Sequence, residues 1–252
     1  SETIKISLHL QEVLNQVLFI HLFQLLSGAL PLHGEIKMQK IDAAVTVLKK
    51  WVVEKGLDAV KITLPPSVYD ESFIARQSNA LFRNNFKIES IDINHSCTVS
   101  GYGSDLSRSI RRNARKNLNT AIANDLSFLK CNGIEEKKQA YDVIKINRES
   151  KGFPLKMSWD LVKETIELVQ SDFFICSDRM GQALASAMVF HVARDIVQVI
   201  YWGDDPEFSH LRPMNYLTFQ MFRYYDEAGI KIVDTGPSTK DSVPSYGLCE
   251  FK

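Results

Sequence analysis

Two short stretches of this chain place side chains able to move protons at the ends of apolar runs. Tyr201-Trp202-Gly203-Asp204 ends one apolar run and Asp234-Thr235-Gly236-Pro237 ends another. Asp234, Asp204 and Asp205 can accept a proton, His210 can accept or donate one, and the phenols of Tyr201 and Tyr216 can donate to a developing oxyanion. Each also has a structural use, since a carboxylate caps helices and a phenol satisfies buried acceptors. Between the two stretches, Ser209-His210-Leu211-Arg212-Pro213-Met214-Asn215 leads into a helix. A helix start offers backbone N–H groups and a partial positive charge to phosphate, and Arg212 adds a guanidinium.

A second concentration of charge is Arg108, Arg111, Arg112, Arg115 and Lys116, spaced so that four of the five share a helical face. Guanidinium forks match phosphate oxygens, so Arg111 and Arg112 are candidate anchors for an anionic substrate. A solvated helix face, or contacts between domains, accounts for the same run.

The elements that must position these residues are legible. Gln182 to Val192 reads as a strand, Arg194-Asp195 as a tight turn and Ile196 to Trp202 as a second apolar strand. Pro213 suits a first helical turn. Leu217, Met221, Tyr224 and Tyr225 follow at helical spacing up to Gly229, and Ile230, Ile232 and Val233 form a returning strand, most simply by a right-handed crossover. In an open α/β sheet, ligands lie beyond the carboxyl ends of strands, which is where Trp202 to Asp204 and Asp234 to Gly236 fall.

Ahead of this unit the same rhythm is weaker. Ile4, Ile6, Leu8 and Leu10 alternate as a strand, and residues 14–26 read as another. Asp42 can cap a helix with Val45, Leu48, Val52 and Val53 inward, ending at Gly56. Ala59 to Leu64 is a strand, Asp70 to Arg83 a helix with Phe73, Ile74, Leu81 and Phe82, and Phe86 to Ile93 alternates again. Past the arginine run come a strand at Leu126 to Leu129 and a helix at Ile134 to Glu149, with Ala140, Val143, Ile144 and Ile146 available to pack. A second helix, capped by Ser158, then precedes Phe173.

Composition narrows the function. Lysine plus arginine and aspartate plus glutamate are both 30, so whole-chain charge argues for no polyanionic partner and any preference is local. The cysteines Cys97, Cys131, Cys176 and Cys249 stand singly without metal-ligand spacing, so reduced thiols and no metal are expected. The most apolar window, Val13 to Leu32, is broken by Asn15, Gln16, His21 and Gln24, whereas a membrane span needs about twenty apolar residues. No span and no signal peptide are expected, and a cytoplasmic location follows. Serine elbows, P-loops, HExxH and paired glycosidase carboxylates are absent as patterns.

The paired strands at Arg194-Asp195, the Tyr201 to Asp204 stretch, Leu211 to Asn215, Val233 to Gly236 and Gly247-Leu248-Cys249-Glu250-Phe251-Lys252 together resemble the GNAT acyltransferase superfamily. More narrowly, they resemble its Fem-type members, which carry two GNAT-like domains in tandem. The resemblance implies an α/β (α+β) fold with two domains, 1–103 and 104–252, each a mixed, mostly antiparallel twisted sheet flanked by helices. It implies an N-acyltransferase moving an acyl or aminoacyl group from a CoA thioester or aminoacyl-tRNA to an amine on a small molecule or cell-wall-precursor-like acceptor. A GNAT-like module that binds an anionic ligand or partner without catalysis is the alternative. By the same resemblance the donor lies against Trp202, Arg212, Met214 and Asn215, the acceptor against Lys151 and Trp159 with Phe153 beside them, and Lys252 matches a lysine assigned to the reaction centre. CoA-using members hold the pyrophosphate at a Gly-rich turn. Here that turn has no glycine, and Pro213 removes a donor, as in members that take aminoacyl groups from tRNA.

Overall fold

The computed structural model describes residues 2–9, 17–20, 36–100 and 110–252, the first two stretches as backbone. Arg108, the expected boundary at 103/104 and most of the strand expected at 14–26 lie outside them. The chain divides into two compact units, Ser1–His95 with Pro237–Lys252, and Ser96–Gly236. Thus the closing stretch, expected with the second domain, groups with the first. Each unit is a mixed, mostly antiparallel sheet flanked by helices.

In the first unit, β1 (Glu2–His9), β2 (Val17–Ile20), β3 (Ala59–Thr63) and β4 (Lys87–Thr98) stand in the order β2-β3-β1-β4. β2 and β3 run parallel, and the other two pairs are antiparallel. Helices α1 (Met38–Glu54) and α2 (Glu71–Arg83) bury Ile41, Val45, Val52, Phe73, Ala80 and Leu81 against Val60, Ile62 and Leu64. Asp70, expected as the first residue of this helix, is its cap, its side chain accepting from Phe73 N at 2.9 Å. Asp42 does not cap α1. That helix starts a turn earlier, at Met38, and Asp42 pairs with Arg83 instead. Val53 and Phe82 point outward at 63% and 75% exposure, so each helix buries a narrower stripe than its apolar residues suggest.

β4 inverts the expected pattern. Ser90, Asp92 and Asn94 are buried while Ile88, Ile91 and Ile93 are exposed. At Asp92 the closing stretch supplies polar partners, whereas the buried Ser90 hydroxyl has none among the described residues. Thr239 Oγ1 and Ser242 N both donate to Asp92 Oδ1 (2.7 and 3.0 Å), and Ile91 N and Ile93 N donate to the Ser242 and Thr239 hydroxyls (2.9 Å each).

The second unit has three layers. Its sheet runs β9 (Ile232–Pro237), β8 (Ile196–Asp204), β7 (Ala183–Ala193), β6 (Ser171–Ser177), β5 (Ser127–Lys130). β8 and β9 are parallel, and every other pair is antiparallel. On one face lie α3 (Arg112–Ala123) and α6 (Pro213–Glu227), burying Ala121, Leu217, Met221 and Tyr225 against Phe174, Ala187, Val197 and Val233. On the other lie α4 (Ile134–Ser150) and α5 (Trp159–Leu168), where Ala140, Tyr141, Ile144 and Val162 meet Phe173, Ile175 and Met188. Ser158 caps α5, accepting from Leu161 N at 3.3 Å. Gly229, at φ +78°, closes α6 in a conformation costly for any other residue, which returns the chain into β9.

Candidate functional site

The parallel ladder between β8 and β9 is short. Its rungs are Ile196↔Ile232, Val197↔Val233 and Gln198↔Asp234, after which the two strands are unpaired with each other although both run on. Just past the last rung, β8 carries a bulge. Met188 pairs with Tyr201 and Val189 with Val199, leaving Ile200 as the extra residue. A bulge bends its strand and re-aims the side chains beyond it. Ile200 and Tyr201 consequently both pack on the α4/α5 face, while Trp202 turns to the α3/α6 face.

At the far end of β8 a polar network ties the strand to α4. Asn147, only 3% exposed, donates through Nδ2 to Asp204 O (2.6 Å) and Asp204 Oδ1 (3.1 Å), and its Oδ1 accepts from Lys151 Nζ at 3.1 Å. Ser209 Oγ donates to Asp204 Oδ2 at 2.8 Å. The amide of Asn147 lies directly on Gly203, where a Cβ would sit 2.5 Å from Asn147 Cγ. Any residue but glycine there displaces Asn147 or the strand.

On the opposite face the chain enters α6 through a short 3-10 turn, Pro206–Leu211, and through Arg212, which adopts a left-handed conformation (φ +61°, ψ +39°). A non-glycine residue there holds strain of about 1 kcal/mol, the sort of local cost that collects at functional sites. Pro213 occupies the first helical position, and Asn215 N donates to Arg212 O at 3.1 Å. Strand end, bulge and helix start therefore converge toward the carboxyl end of β8, where an open α/β sheet offers a crevice.

Neither a model of a known protein family nor a curated protein sequence matches the chain. Solved structures do. The crystal structure of FemX superposes with a TM-score of 0.63 at 15% identity, covering 86% of this chain and 74% of that one. The chain has a Fem/GNAT-like fold. L-PGS from Bacillus licheniformis gives a TM-score of 0.48 at 11% identity over 64% of this chain and 49% of its own.

Within the Fem/GNAT-like fold the candidate residues separate by face. Lys151 joins Asp204 through Asn147 on the α4/α5 side, and Tyr201 and Trp159 pack on that side too. The Trp159 ring packs against Tyr141 at 5.5 Å, tilted by 51°, a core contact, whereas Phe153 is 60% exposed. Trp202 and Met214 pack on the α3/α6 side, as does Tyr216, and Arg212 and Asn215 belong to the helix start beside them.

Other candidates take structural positions. Asp234 is fully buried: Oδ1 accepts Gly236 N at 2.8 Å and Oδ2 accepts Gln198 Nε2 at 3.1 Å, so it shapes the parting of β8 and β9. Asp205 caps the 3-10 turn through Glu207 N (3.1 Å), and His210 lies against Glu207 O (3.2 Å). Lys252 belongs to the first unit, where its ammonium donates to Pro237 O at 3.0 Å. Arg111 and Arg112 begin α3, exposed. Arg112, Arg115, Lys116, Asn119 and Thr120 line a shallow surface groove, and Arg111, Arg112 and Lys116 pair with no carboxylate among the described residues.

Asn147 is absent from the candidates that sequence patterns single out. One signal points to it: Ala140, Ile144 and Asn147 share the inward phase of α4, so an amide sits where the stripe calls for an apolar side chain. Ile146, expected to pack, is 46% exposed instead. Among the described residues no cluster of His, Cys, Asp or Glu could hold a metal ion, and no helix is long and apolar enough to cross a membrane.

Proposed function

We propose that the protein transfers an acyl or aminoacyl group to an amine at the carboxyl end of β8. The observation that carries this reading is the end of the β8/β9 ladder at Gln198↔Asp234, followed at once by the bulge at Ile200. Two parallel strands that stop pairing leave backbone groups and side chains of both sheet faces facing one opening, as a reaction between two substrates requires.

The donor lies on the α3/α6 side, against Trp202, Met214, Asn215 and Arg212, and the acceptor on the α4/α5 side, near Lys151 and Tyr201. The ammonium first gives one proton to the Asp204 carboxylate, and the freed amine nitrogen bonds to the donor's carbonyl carbon. The carbon–oxygen or carbon–sulfur bond of the donor breaks with its electron pair on the leaving atom, and a second proton passes from the nitrogen to that leaving oxygen or sulfur. Each Asp204 oxygen accepts one intramolecular hydrogen bond, which leaves lone pairs for the substrate. The Tyr201 phenol is the candidate donor to the oxyanion.

Aminoacyl-tRNA fits the helix start better than a CoA thioester. With Pro213 at the first position and Arg212 in place of a glycine, the turn has fewer free backbone donors for a pyrophosphate and one more guanidinium for a phosphodiester. The exposed Arg111, Arg112 and Lys116 favour a second reading, a module that binds a polyanion without catalysis.

Thermal shift with CoA, acetyl-CoA and aminoacyl-tRNA separates the two, because a ligand at 100 times its dissociation constant stabilises by about 2.7 kcal/mol. Stabilisation by aminoacyl-tRNA with release of deacylated tRNA on adding amines supports transfer. Stabilisation without release supports the binding module, and no shift with any donor removes the transferase reading.

A further inference from the structure

We propose that Asn147 is the positioning residue of this site, and that it sets the site to take an amine that carries an anionic group nearby. The inference rests on the transferase reading for its substrate, and on geometry alone for its structural core. A buried primary amide has two arms. In Asn147 the Nδ2 arm is committed to Asp204, through both the main-chain carbonyl and Oδ1, and the Oδ1 arm to the Lys151 ammonium. One side chain thus fixes a carboxylate and an ammonium on opposite ends of a rigid plane. Neither charge neutralises the other by direct contact, and each keeps unused hydrogen-bonding capacity toward solvent.

Asn147 is itself held on three sides. Its carbonyl oxygen accepts from Ser150 Oγ at 2.8 Å, and its side chain is pressed on Gly203, the one residue type that permits such an approach to β8. α4 is anchored to the sheet one turn and more upstream by Ser186 Oγ, which donates to Ala140 O at 2.6 Å. An ammonium substrate pairs with Asp204, and a carboxylate or phosphate on the same molecule pairs with Lys151. The residue touching substrate is in each case Asp204 or Lys151, and Asn147 acts through them.

The test uses the full chain and three variants, Asn147→Ala, Asn147→Asp and Gly203→Ala. The first readout needs no enzymatic activity. Acetic anhydride at limiting concentration labels surface amines, and the labelling rate of Lys151 relative to Lys145 and Lys156 is read by mass spectrometry. Asn147→Ala is expected to raise the relative rate about threefold or more, the size of one lost hydrogen bond. Gly203→Ala, which changes no polar group, is expected to do the same by expelling the amide. Asn147→Asp is expected to lower the rate, because a carboxylate holds the ammonium more tightly. An unchanged Lys151 rate in both Asn147→Ala and Asn147→Asp overturns the proposal. Where the Ala variants unfold, Asn147→Asp, isosteric with the native residue, decides alone, and an unchanged rate in it overturns the proposal.

The second readout is transfer to amines with and without an anionic group. In the Asn147 variants both amines are expected to bind less well through the disturbed Asp204, and KM for the anionic amine is expected to rise about tenfold more than KM for the plain amine, which has no group for Lys151. Equal changes for both amines overturn the substrate assignment. A wild-type protein that transfers nothing removes the transferase reading and leaves the labelling result to decide on Asn147.

Discussion

Gln198 and Asp234 face each other on the last rung of the parallel ladder, the Gln198 amide donating to Asp234 Oδ2 at 3.1 Å while Asp234 Oδ1 accepts Gly236 N at 2.8 Å. The carboxylate thus holds both strands at the point where they part. Asp234→Ala takes these acceptors from the buried Gly236 N–H and the part-buried Gln198 amide and is expected to cost about 2–3 kcal/mol. Asp234→Asn keeps an acceptor for Gly236 N and is expected to cost about 1 kcal/mol and to retain most of the transfer activity. Chemical denaturation with a transfer assay checks this; an Asn variant as inactive as the Ala variant makes Asp234 the proton acceptor instead.

A second charged cluster lies at the other end of β7 and α6. Asp172, 8% exposed at its side chain, takes Lys130 Nζ at 2.8 Å, His191 Nε2 at 2.7 Å and Tyr225 OH at 3.1 Å. Burial by itself raises the Asp172 carboxyl, but hydrogen bonds from Lys130 and His191, with their charges, outweigh it and hold the group below its ordinary value. Burial likewise lowers Lys130, and its bonds to Asp172 and Tyr224 reverse that and raise it. A lowered carboxyl gives stability above its ordinary 3.8 that is lost as pH falls through the folded value. A raised amine gives stability below its ordinary 10.5 that is lost as pH rises through the folded value. The contribution of this pair is therefore expected to be flat between those limits and to fall beyond them. Asp172→Asn should flatten the acid limb and cost about 2–3 kcal/mol, less than a fully buried pair because Lys130 stays part-exposed. Urea melts across pH read both effects.

Burial pushes the Cys131 and Cys176 thiols up to about 12, so both are neutral at physiological pH, and they lie inside the two opposite faces of the second unit. Thiolates are the reactive form. In the folded protein, Ellman's reagent is expected to modify the part-exposed Cys249 first, Cys97, whose thiol burial also raises, more slowly, and Cys131 and Cys176 only after denaturant is added. Rapid modification of all four in buffer would contradict the packing of β5 and β6.

The exposed cations of α3 offer a direct check on polyanion binding. Replacing Arg112 and Lys116 with alanine removes no ion pair among the described residues, so stability is expected to change by less than about 0.5 kcal/mol. If the groove holds tRNA phosphates, affinity falls and the slope of log affinity against log salt lessens by about 1.4 to 1.8, two contacts' worth. Filter binding from low to moderate salt reads the slope, and an unaltered slope assigns α3 to the solvated surface.

The sequence by itself determined the elements and their order. Turn residues, caps at Asp70 and Ser158, Pro213 at a helix start and Gly229 at a helix end act within a few residues, so their consequences are local and legible. The tertiary structure decided which faces are used and which side chains meet. Periodicity shows that Ser90, Asp92 and Asn94 share one side of β4, yet burying the Asp92 carboxylate on that side needed Thr239 and Ser242, far along the chain. The bulge at Ile200 moved Tyr201 and Trp202 to faces that plain alternation does not assign, since it comes from pairing with β7. Asn147 and Asp204 are 57 residues apart and meet only because glycine at 203 lets helix and strand close on each other. Hydrogen bonds between distant residues and strand register depend on how the layers pack, and no local pattern of residue types encodes them.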